Sequence, residues 1–165
     1  MSDEFMPESN FTPKNDGINH INIYSKGSTW LGQKLSNFAL APFECEHGKF
    51  NSIEGYWFWL SSGKQHDDLR ELHGFQAKKK GEECKFHDRA PVNNFNEYIK
   101  EAIRCKIRTH KDIRVELKNS TLPLLHYYYY GDIRNPQIIT LKKHDWMVDE
   151  FTRIRSIMQE SNFND

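Results

Sequence analysis

Leu35 to Leu60 reads LSNFALAPFECEHGKFNSIEGYWFWL, and the fold is decided in this stretch. It joins a polar Ser36-Asn37-Phe38 tripeptide to a short hairpin and then to an aromatic helix. Phe43-Glu44-Cys45 and Lys49-Phe50-Asn51 flank Glu46-His47-Gly48, a turn sequence between two short strands. Ser52 is a good N-cap, because its hydroxyl can accept a free N–H of the first helical turn. Ile53, Tyr56, Trp57 and Leu60 then recur at helical spacing and are expected to face a core. Glu54 lies off that stripe in the first turn, where the helix dipole favours its ionised form. Periodicity alone reads it as a carboxylate that supports the helix start.

Outside this stretch, composition sets bounds. A chain of 165 residues fits one domain with a real core. Lysine plus arginine number 23, as do aspartate plus glutamate, so no global charge argues for nucleic acid or an acidic membrane. Three cysteines, Cys45, Cys84 and Cys105, form no CxxC pair and indicate a reducing compartment. No signal peptide or membrane span is visible, and a cytoplasmic location is expected.

Along the chain, Met1 to about Gly17 reads as a mobile leader, followed by one domain over 18–165. His20 to Tyr24 alternates like a short strand, and Lys26 to Lys34 reads as a glycine-punctuated loop. The aromatic helix should stop at Gly63, and Gln65 to His73 reads as a charged helix. Phe75 to Gly81 forms another, ending at its glycine, with Glu82 to Asn93 as a polar connection. Asn94 and Glu97 form a capping box for a core helix carrying Phe95, Ile99, Ala102, Ile103 and Ile107. A second piece runs from Asp112 to Lys118. The tyrosine run Tyr127 to Tyr130 reads as a strand, with Tyr127 and Tyr129 on one face and Tyr128 and Tyr130 on the other. One set could line a pocket, or the run could be a core strand. Gln137 to Leu141 is a further strand and Asp145 to Gln159 the final helix.

The opening stretch also resembles the NADAR, or YbiA-like, family. The features that carry the likeness are Leu35-Ser36-Asn37-Phe38, Pro42-Phe43, Gly48, Ser52 and Glu54-Gly55-Tyr56-Trp57. The likeness runs from about Ile21 to Gly81. An Ala-Lys pair on a basic helix also matches, here Ala77-Lys78. Two positions depart: the family's glutamine four residues and lysine seven residues after the acid are Phe58 and Ser61 here.

The resemblance implies a compact α+β fold, mostly helical with a few short strands. It implies an N-glycosidase acting on a phosphorylated riboside or an ADP-ribose conjugate, including an ADP-ribosylated nucleobase, free or in nucleic acid. Glu54 would be the catalytic carboxylate, because one carboxylate can oppose the charge of an oxocarbenium-like ribose and activate water. Substrate contacts would come from Ser36, Asn37, Phe38, Trp57, Lys78 and Tyr128, with Lys79 and Trp59 also available, and no metal or cofactor is called for. The lysines of this helix can equally be a solvated face. The alternatives are a binder that sequesters such a nucleotide without cleaving it, and a protein-interaction module built on exposed aromatics.

Overall fold

The computed structural model describes residues 12–161, an α+β chain rich in helix with three two-stranded sheets among the described residues. It groups into two compact units, Met1–Ser36 with Val115–Asp165, and Asn37–Arg114.

The second unit carries the opening stretch. Strands β2 (Phe43–Cys45) and β3 (Gly48–Phe50) pair antiparallel, Phe43 opposite Phe50 and Cys45 opposite Gly48. The tight turn is possible because Gly48 takes a φ of 100°. Helix α2, Ile53–Ser61, follows. Its cap is doubly used: Ser52 Oγ accepts from Gly55 N at 3.0 Å and donates to Leu72 O at 2.9 Å. Ile53, Tyr56 and Leu60 are buried, but Trp57 is only half-buried, so it leaves the stripe predicted for it. Phe58 takes its place against the neighbouring helix.

That neighbour is α3, which runs from Gly74 to Asp88 and therefore straight through the expected stop at Gly81. Ala77, Gly81 and Cys84, one face of α3, are buried. A Cβ at Gly81 would lie 2.1 Å from Phe58 Cγ, so this glycine permits two helices to approach closely and does not end one. The charged segment expected as a helix from Gln65 to His73 is a 3-10 turn, Asp67–Glu71. Helix α4, Phe95–Thr109, buries Ile99, Ala102, Ile103 and Ile107. Its predicted capping box does not form: Asn94 adopts a left-handed φ of 61° and its side chain caps nothing. Helix α5, Lys111–Asn119, follows.

The first unit joins distant parts of the sequence. Strand β1 (Ile21–Asn22) pairs parallel with β4 (Leu124–Leu125). The fully buried Asn22 amide extends this ladder, donating to Tyr127 O and accepting from Tyr127 N, both at 3.0 Å. Strand β5 (Tyr127–Tyr130) pairs antiparallel with β6 (Gln137–Thr140), and α6 (Asp145–Glu160) buries Met147 and Phe151. The expected loop at Lys26 to Lys34 contains helix α1, Trp30–Leu35, capped by Thr29 Oγ1 on Gly32 N at 2.9 Å.

Part of the expected leader, 1–11, lies outside the described residues. Its remainder is built into the first unit. Pro13–Asn15 forms a 3-10 turn, and buried Asp16 accepts from the backbone N–H groups of Asn22 and Ser28 at 2.9 and 2.7 Å. Satisfying two buried donors with one carboxylate holds this segment in place.

Candidate active site

The seam between α2 and α3 is bordered by two stripes of side chains. On α2, Glu54, Trp57 and Ser61 follow one another at helical spacing; on α3, so do Lys78, Glu82 and Lys85, with Arg89 at the cap just past its end. Glu54 stands near the start of the seam. Its backbone N–H donates to Asn37 O at 2.9 Å, which ties the polar tripeptide to the first turn of α2. Its side chain is half-buried, and among the described residues nothing hydrogen-bonds or ion-pairs with its carboxylate. Burial without a partner penalises the ionised form, so the carboxyl titrates at about 7, from an ordinary 4.5. The Lys78 ammonium opposes that rise and the Glu82 carboxylate adds to it.

Beyond Glu54 the seam opens into a groove of about 520 Å³. Trp57, Phe95, Pro91 and Val92 give it apolar walls, and Lys85 and Arg89 give it charge. The rings of Trp57 and Phe95 meet edge to face, with centroids 4.7 Å apart.

The sequence-predicted residues separate into groups. Glu54, Asn37, Phe38, Trp57 and Lys78 all fall in the second unit. Phe38 O accepts from Gly74 N at 2.9 Å, so the tripeptide contacts the starts of both seam helices through its backbone. Ser36, buried at the end of α1, and Tyr128 fall in the first unit. Tyr128 there lies against Tyr24 and His126, with ring centroids 5.1 and 5.3 Å away. Trp59 is buried and its indole N–H donates to Asp67 Oδ1 at 3.0 Å, which removes it as a stacking platform. Lys79 is exposed on α3.

The two departures from the family pattern are structural here. Phe58 packs on Gly81, and Ser61 Oγ donates to Trp57 O at 2.8 Å. Burial pushes the thiols of Cys45, Cys84 and Cys105 up, away from the nucleophilic thiolate. Among the described residues no cluster of His, Cys, Asp and Glu could hold a metal ion.

Sequence reading missed Lys85, Arg89 and Phe95 as groove residues. The signal was present: had α3 been continued through Gly81, Lys78, Glu82, Lys85 and Arg89 would have lain on one face.

A carboxylate titrating near neutrality beside an aromatic, cationic groove can serve as a base or as an electrostatic partner for a developing cation. No family model and no curated protein matches this chain. Among solved structures, the NMR structure of the E. coli protein YbiA matches with a TM-score of 0.61. The match covers 89% of this chain and 90% of that one at 19% sequence identity. Among the described residues no helix is long and apolar enough to cross a membrane. With the fold thus matched over nearly its whole length, the chain has a YbiA-like fold.

Proposed function

We propose that this protein is an N-glycosidase, cleaving the bond between a base and the ribose of a phosphorylated riboside or ADP-ribose conjugate. The observation that carries the reading is Glu54: a half-buried carboxylate with no partner among the described residues, titrating at about 7. A protein that only needed a first-turn carboxylate for helix stability would leave it hydrated. In the proposed reaction the C1′–N bond breaks and its electron pair leaves with the base. Ionised Glu54 opposes the positive charge that develops on the ribose and takes a proton from the attacking water. The hydroxide adds to C1′ and the proton ends on the released base. Exposed Lys78, whose charge acts on Glu54, would meet the ribose phosphate.

A second reading has its own support. Phe58 and Ser61 stand where the family carries an amide and a cation, and both are committed to packing or backbone bonds. In that reading the protein holds the nucleotide without cleaving it.

Single-turnover base release from an ADP-ribosylated nucleoside, followed by chromatography, decides between them. Glu54→Gln keeps size and shape but loses the negative charge, so release is expected to fall roughly a hundred- to a thousandfold. Ground-state affinity is expected to change much less. Equal rates for variant and wild type remove Glu54 from the chemistry. Binding without product from the wild type, across several phosphorylated ribosides, selects the sequestering protein.

A further inference from the structure

We infer that the groove between Trp57 and Phe95 is a nucleotide subsite, its aromatic walls taking a base and Lys85 and Arg89 a phosphate. Three observations lead to it. Trp57 is half-exposed although Tyr56, Phe58 and Trp59 around it in α2 are all buried, so a large aromatic surface is held at the groove and not in the core. The side chains of Lys85 and Arg89 form no ion pair or hydrogen bond among the described residues, and Lys85 is half-buried. The lining contains no carboxylate.

The cations are not explained by their helix alone. Lys85 in the last turn of α3 and Arg89 at its cap do suit the helix dipole, but that effect needs no aromatic groove beside them. The nearby acid Asp88 is engaged with His66 at 2.9 Å and neutralises neither. A half-buried ammonium and a guanidinium flanking apolar walls make a pocket complementary to an anion with a flat, apolar body. A nucleotide monophosphate has both parts, with the base stacking on an aromatic ring and the phosphate taking charge-assisted bonds. The space of about 520 Å³ suits a ligand of that size.

The groove also has a direction. Trp57 follows Glu54 by one helical turn, about 5–6 Å between Cβ atoms. A nucleotide seated here would be the part of the substrate beyond the cleaved bond. That placement rests on the reading of Glu54 given above, whereas the affinity of the groove for a nucleotide does not.

The test uses the full chain, with calorimetry and tryptophan fluorescence for AMP, adenosine and ribose 5-phosphate. AMP is expected to bind, and each half of it at least about tenfold more weakly. Lys85→Ala with Arg89→Ala should weaken AMP roughly ten- to a hundredfold and flatten its salt dependence. Melting should fall only slightly, by the small helix-dipole contribution of the two cations, since neither side chain bonds to the protein; Lys85→Gln alone provides the same comparison should the double variant misfold. A single-stranded tetra-deoxyadenylate separates the two sources. Binding tighter than AMP assigns the groove to a strand, and equal or weaker binding to a free nucleotide; both support the site.

AMP binding that ignores both cations overturns the subsite, even where Glu54→Gln abolishes base release. Ribose 5-phosphate binding as tightly as AMP also overturns it. If the cation variants lose AMP while Glu54→Gln releases base at the wild-type rate, the groove stands and the reading of Glu54 falls.

Discussion

The two sides of α2 use the same residue types to opposite ends. On the hairpin side, polar groups are matched. Tyr56 OH and His47 Nδ1 share a hydrogen bond at 2.8 Å, and Asp67 Oδ1 accepts from both Trp59 Nε1 and Arg70 Nε at 3.0 Å. Arg70 also donates to His47 O at 2.7 Å, and its guanidinium lies over the rings of Phe50 and Trp59, 4.4 and 4.7 Å from their centroids. On the α3 side, Glu54, Lys85 and Arg89 face a seam and a groove with none of these bonds made. An aromatic and an arginine that complete each other hold a fold together, as at Arg70; Trp57 and Arg89 instead both line a groove.

The contrast is broken most severely at the seam itself. Gly81→Ala would drive a methyl group into the Phe58 ring and should cost about 3 kcal/mol in urea unfolding, with Phe58→Leu in the same chain recovering part of it. A fully stable Gly81→Ala protein would mean that the two stripes do not border a common seam.

Next in size is a gain. Folded Glu54 titrates at about 7 against an ordinary 4.5, so between these values the folded chain keeps a proton the unfolded chain has lost. Stability contributed by the neutral carboxyl is full below the lower value and lost as pH rises through the higher. Glu54→Gln should therefore be more stable than wild type by roughly 2–3 kcal/mol at pH 8 and equal to it at pH 4. Melting curves across that range check it; a variant less stable at pH 8 would show that the carboxylate supports the helix after all.

On the matched side, Tyr56→Phe strands the ring nitrogen of His47 and should cost about 1–2 kcal/mol. Base release should be unaltered, because the groove side is untouched. A loss of turnover would show that the two sides are not independent.

The smallest effect sharpens the electrostatics. Base release needs ionised Glu54 and should rise with pH through about 7. Lys78→Ala removes the charge that favours ionisation and should move that midpoint up by roughly half a unit, whereas Glu82→Gln should move it down. Shifts of the same sign would sink the assignment.

Local chemistry made much of this legible beforehand. Ser52 announces its cap by residue type and position, and Ile53, Tyr56 and Leu60 announce their burial by spacing. The misreadings share a physical cause. Gly81 reads as a stop because glycine usually costs helix stability, but the space it leaves for Phe58 outweighs that cost, and only the partner helix reveals this. Asn94 reads as half of a capping box, yet a left-handed backbone points its side chain elsewhere. Thr29 and α1 were hidden behind Gly27 and Gly32. Periodicity reads Glu54 only as a support for the helix start, and it is the resemblance of the surrounding motif that singles it out. The groove could not be singled out, because its charge comes from a different helix, whose length was misjudged by seven residues, Glu82 to Asp88.

The Asn22–Tyr127 clasp bears on the order in which this chain acquires its shape. Its partners stand 105 positions apart, and the parallel ladder beside it spans a similar interval. The contacts of the seam, by contrast, join helices adjacent in sequence. Pairings of long separation must close a large loop before any bond rewards them, so they form slowly. During synthesis the segment around Asn22 leaves the ribosome well before Tyr127 exists, while everything from Asn37 to Arg114 can already settle. The strand made first waits longest for its neighbour, and in that interval its exposed edge must be kept from other partners.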